Sequence, residues 1–141
     1  MFLTTNDYKP QIQDAILQSV LGGAISGNTT LASAELATQS EMESYLRARY
    51  DVVNIFNKTG TARNELIVMY MIDMVLYHLH SRINPNKVPD LRGIRYEAAI
   101  SWLKSVAKGE ISPDLPLLED TEGNAINIIA YGSNPKRNLY Y

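Results

Sequence analysis

The chain has 141 residues, 45% of them hydrophobic, and 13 Lys+Arg against 15 Asp+Glu give a net charge of −2. That length suits one domain able to bury roughly 70% of the surface its unfolded form exposes. The charge argues against a protein whose main task is coating nucleic acid or an anionic membrane. With no cysteine, disulfides, thiol catalysis and thiolate metal sites are excluded together.

The opening MFLTTNDYKPQ has neither a basic n-region nor an apolar h-region, so no export signal is expected. Ile12, Ala15, Ile16, Leu17 and Val20 follow the cap signal Thr5-Asn6-Asp7 with helical spacing, and Pro10 is tolerable in a first turn. A short helix is predicted there. Gly22, Gly23, Gly27 and Asn28 break the chain before a longer helix from about Thr30 to Tyr50. Its inward stripe is Leu31, Ala34, Thr38, Met42, Tyr45 and Arg49, so a cation is placed on the apolar side.

Residues 51–63, DVVNIFNKTGTAR, join β-branched and aromatic residues to the turn signal Asn-Lys-Thr-Gly. The expectation is an extended loop, or a small hairpin arm, over 51–62. A third helix from about Ala62 to Ser81 is apolar on nearly every side, which marks the centre of a bundle. Its apolar run from Leu66 to Leu79 would span about 21 Å as a helix, short of a ~30 Å hydrocarbon core. Asp90 is a plausible N-cap for a fourth helix with the stripe Leu91, Ile94, Ala98, Trp102, Leu103 and Val106, closed by Gly109 at C′. Pro113, Pro116, Gly123 and Pro135 exclude a long helix after residue 110. Only Asn124–Tyr131 alternates, so this tail is extended with at most one or two strands.

The spacing thus predicts an all-α fold: an antiparallel bundle of about four helices over 1–110 and an extended arm over 111–141. His78 and His80 stand two apart and project about 200° from each other, so they cannot share a metal ion from a straight helix. Neither a metal nor any other cofactor is expected. Asp73 lies inside a stripe of Leu66, Met69, Tyr70, Tyr77 and His80, where a carboxylate must be paired, protonated or at the bundle end. Its expected partner is Arg49, as a buried inter-helix ion pair. Asp73 acting with His80 as acid or base has no candidate nucleophile beside it, so no enzyme is expected. The tail carries Tyr131, Lys136, Arg137, Tyr140 and Tyr141, residue types that carry protein interfaces.

The segments EMESYLRARYD, ELIVMYMIDMVLYHLHSR and VPDLRGIRYEAAISWLKSVAKGEISPDLP, in this order, resemble the Mu-like phage and prophage head–tail connector, or adaptor, family. The ends FLTTNDYKPQI and YGSNPKRN are also similar to that family's. The resemblance implies a structural virion protein that assembles with itself into a ring, commonly a dodecamer, beneath the portal protein. It further implies a virion neck location after assembly in the bacterial host cytoplasm, and contacts to the portal and to the next connector or tail protein. DNA would pass through the ring's channel without sequence-specific binding, and no membrane would be involved. Loops and terminal arms make such contacts in connectors, which points to Ile55, Phe56 and Lys58 in the loop and to the tail residues above. The alternative is a small helical regulator or DNA-binding protein of a phage or mobile element, which needs exposed basic residues on a recognition helix. Its best candidate is Leu91–Lys108, where Arg92 and Arg95 fall near the apolar side.

Overall fold

The computed structural model describes residues 1–119 and Gly123. An N-terminal segment with a 3₁₀ turn at Thr5–Tyr8 leads into α1 (Asp14–Leu21), α2 (Thr29–Leu46), α3 (Val52–Asn57), a second 3₁₀ turn at Gly60–Ala62, α4 (Glu65–Ile83) and α5 (Asp90–Lys108). Among the described residues the fold is all-α, as the spacing predicts. One isolated antiparallel bridge joins Tyr50 and Leu117.

α4 is the axis. Asn64 caps it by accepting hydrogen bonds from the Leu66 and Ile67 backbone N–H groups. The helix ends at Asn84, whose extended conformation is the one that a following proline requires. Ile67, Met74, Val75 and Leu76 are fully buried, because α2, α5, α1 and the first 3₁₀ turn all pack on this helix. α2 contributes Leu31, Thr38, Met42 and Leu46, and α5 contributes Ala99, Trp102, Leu103 and Val106. Tyr70 meets Trp102 and Tyr77 stacks on Tyr96, so α5 runs antiparallel to α4.

Several expectations are corrected. The first helix starts at Asp14, and Thr5-Asn6-Asp7 instead forms a 3₁₀ turn that Thr4 and Asp7 close reciprocally. The expected extended loop at 51–62 is largely α3, nucleated by the Asp51 side chain, which accepts from the Asn54 N–H. On α5, Leu91, Ile94 and Ala98 are exposed while Arg92 is buried, so the first half of the expected stripe is turned outward. Gly109 ends α5 in the left-handed region at φ +82, as its placement predicts.

After α5 the chain returns along the bundle. The Asp51 N–H donates to the Pro116 carbonyl at 2.9 Å and the Leu118 N–H to the Arg49 carbonyl at 3.1 Å. Leu115 is buried against the same core. The alternating segment 124–131, where a strand is expected, lies outside the described residues.

Candidate functional site

The side chains that carry charge inside this bundle do so as links between elements. Asp73, on the middle of α4, is 4% exposed. Its Oδ1 stands 3.6 Å from Arg95 Nη1. Arg92 Nη2 donates to the Gln11 carbonyl at 3.1 Å, and Arg95 Nη1 donates to the Gln11 side-chain oxygen. One carboxylate therefore faces two guanidiniums, and the cluster joins α4 and α5 to the segment before α1. Burial raises the Asp73 pKa against the pull of both arginines, and burial also lowers that of Arg92. Asp73 Oδ1 and Arg92 Nη1 are buried without a hydrogen-bond partner.

The expected Arg49–Asp73 pair does not form. Arg49 lies beyond the end of α2, at the same end of the bundle as the C-terminus of α5, whereas Asp73 lies midway along α4. The arginine instead donates through Nε to the Ala107 carbonyl at 3.1 Å, satisfying an acceptor in the last turn of α5. Its guanidinium covers Gly109, where an added Cβ would come within 2.7 Å of Nη2.

A second link lies on the other side of α4. Glu41 of α2 accepts from Tyr96 Oη at 2.9 Å and meets His78 Nε2 at 3.1 Å. Burial, then the bond to Glu41, pushes the Tyr96 hydroxyl up to about 12. His80 turns away and places Nδ1 2.8 Å from the Leu76 carbonyl, so the two histidines diverge as their spacing requires.

Two further links hold the N-terminal segment. Tyr8 donates to Glu35 Oε1 at 2.6 Å, both residues buried, and burial raises the Glu35 pKa. Glu35 was absent from the predicted stripe because it is polar, although Leu31, Glu35, Thr38 and Met42 share one helical face. Arg63 holds both oxygens of Asp7, at 2.7 and 2.9 Å, and its guanidinium lies over the Phe2 ring. The Arg63 hydrogen bonds are the main reason that the Asp7 carboxyl falls to about 2.

A group whose folded pKa is depressed contributes stability that is present above its unfolded value and lost as pH falls through the folded one. Asp7 should therefore supply about 2 kcal/mol at neutral pH that disappears between about pH 4 and pH 2. Denaturation of Asp7→Asn measured over that window should show the variant's deficit at neutral pH shrinking toward zero at pH 2. A deficit independent of pH would refute the assignment.

Ile55 and Phe56, expected to face a partner, are 3% and 6% exposed and belong to the core. α3 is amphipathic, and its apolar side packs on the bundle instead of projecting as an arm. Lys58 is half-buried and lines a cleft of about 560 Å³ with Arg63, Glu65 and Asp114. Tyr131, Lys136, Arg137, Tyr140 and Tyr141 lie outside the described residues. No group of three or more His, Cys, Asp or Glu side chains among the described residues could hold a metal ion. No helix there is long and apolar enough to cross a membrane.

A second cleft, of about 440 Å³, opens between the starts of α1 and α5 beside the end of α4. Pro10, Ile16, Pro89 and Leu91 give it apolar walls, and Lys9 and Arg92 also line it. Ile16, Leu91 and Ile94 are 48%, 52% and 64% exposed. Leu91 and Ile94 stand one turn apart on one face of α5.

A family model described as "Bacteriophage Mu, Gp36" matches residues 3–128. No curated protein and no solved structure gives a significant match to the chain.

Proposed function

The chain belongs to the bacteriophage Mu Gp36 family, and from that premise we propose that it is a non-enzymatic head–tail connector. In this reading it forms a ring beneath the portal, extends the DNA channel and presents a surface to the next connector or tail protein. The observation that carries the reading beyond family membership is the inverted start of α5. Leu91 and Ile94 face outward while Arg92 is buried, next to the outward-facing Ile16. A free monomer gains nothing from apolar groups gathered on one face, whereas a subunit covered by neighbours does.

The charge balance supports the same reading. A net charge of −2 suits a channel wall along which DNA must slide without being gripped through its phosphates. Burial also weakens the alternative of a DNA-reading helix. Arg92 is 9% exposed and Arg95 is bound to Gln11, so the basic residues at the start of α5 are spent on the fold.

Light scattering of the purified protein, alone and with the portal protein of the same phage, tests the proposal. The expected result is a ring-sized mass in one or both, with the protein also present in purified virions. A strict monomer that joins neither portal nor virion would overturn it.

A further inference from the structure

The cleft between α1 and α5 has features that a bundle does not need for its own stability. Both helices that open onto it lack a side-chain cap, whereas α2, α3 and α4 are each capped by Asn or Asp. Their first N–H groups therefore leave a positive partial charge at the cleft. Arg92 also lines the cleft, its charge opposed by Asp73, and Lys9 stands exposed at the rim. The lining holds no carboxylate, and Asp14 and Asp90, the first residues of the two helices, are exposed outside it. Basic and dipolar groups set among apolar walls suit an acidic, apolar peptide better than a nucleic acid backbone.

The same chain carries such a peptide. Residues 110–119, Glu-Ile-Ser-Pro-Asp-Leu-Pro-Leu-Leu-Glu, include three carboxylates and no basic residue. Ile111 and Leu117 are exposed there at 40% and 49%, beside exposed Glu110 and Glu119. The segment is held at the start of α4, where the Asn64 side chain donates to the Asp114 carbonyl. The cleft is at the other end, beside His80. Sixteen residues of helix separate the two positions, about 24 Å, so a subunit cannot fill its own cleft with this segment as placed.

We propose that the α1–α5 cleft of one subunit receives the 110–119 segment of a second copy, head to tail. Leu117 meets the apolar wall formed by Ile16 and Leu91, and Glu119 meets Lys9 and the uncapped helix starts. A surface that binds a different surface on an identical copy propagates, and it closes into a ring when the rotation permits. The inference rests on the ring reading above and identifies the two faces that would build the ring.

The absence of native cysteine makes disulfide trapping a clean test. The double variant Leu91→Cys/Leu117→Cys, oxidised in the full-length protein, should give a ladder of covalent multimers on a non-reducing gel. Each single variant should stay at the monomer band, and the control Leu91→Cys/Leu36→Cys should give no ladder. Lys9→Glu in the double-cysteine background should cut the cross-linked fraction by roughly two- to fivefold, the worth of an exposed ion pair, and adding Glu119→Lys should restore it. A dimer from either single variant, or a ladder from the control pair, overturns this interface. Wild-type protein that assembles while the double variant forms no ladder also overturns it, and leaves the ring reading standing. A wild type that stays monomeric with and without portal, together with no ladder, overturns both.

Discussion

Phe56→Ala should lower the unfolding free energy by about 3–5 kcal/mol, the usual cost of emptying a phenylalanine site in a core. Phe56 is 6% exposed and meets Phe2 edge to face, with ring centroids 5.0 Å apart. The damage should spread to the N-terminal segment, because Phe2 is also the surface on which the Arg63 guanidinium rests. Chemical denaturation gives the loss directly, and the fraction still folded should keep the assembly state of the wild type. Val53→Ala in the same helix is the control: at 67% exposed, it should change stability by no more than about 0.5 kcal/mol. A loss below about 1 kcal/mol for Phe56→Ala, combined with lost assembly, would return Phe56 to the role of a partner contact.

Asp73→Ala is expected to cost about 3 kcal/mol, because it leaves the buried Arg92 without its counter-charge. Arg95 adds little to that figure, since its side chain is 39% exposed and screened by solvent. Asp73→Asn should be milder. It removes the same counter-charge, but the isosteric amide keeps an oxygen that can face the arginines and opens no cavity. Double-mutant cycles on urea-denaturation energies identify the partner. Asp73 should couple to Arg92, while Asp73 and Arg49 should be additive within about 0.5 kcal/mol. Strong coupling between Asp73 and Arg49 would contradict the geometry.

The helical framework was legible because its signals are local. The break at Gly22-Gly23, a run apolar on nearly all sides from Leu66, and Gly109 after Lys108 are boundary, core and stop marks, each readable within a few residues. The Arg49–Asp73 expectation failed on something no single helix encodes, namely how far each residue sits along its helix relative to the others. Both residues were placed inward, but α2 ends early enough to carry Arg49 to the terminal carbonyls of α5. The signal for the true partners was present: Arg92 and Arg95 lie close to the apolar side of the same helix, and two inward cations need a carboxylate. The α5 stripe departs from expectation for the same reason, since Leu91 and Ile94 fit a helical period whether they face a core or lie exposed. Residues 52–57 are helical although Val52, Val53 and Ile55 favour strands, because packing of Ile55 and Phe56 on the bundle overrides that preference.

The bonds from Gln11 to Arg92 and Arg95 join residues 81 and 84 positions apart in the chain. A ribosome adding about 5–20 residues per second delivers Arg95 about 4–17 s after Gln11. During that interval the N-terminal segment can settle on α2 through Tyr8 and Glu35, but the Asp73 site has no cation opposite it. α5 is thus the last helix to be synthesised and the one that brings cations to the centre of α4. A chain truncated before α5 would keep its apolar helices but lose Trp102, Leu103 and Val106 from the core and leave Asp73 without a cation opposite it.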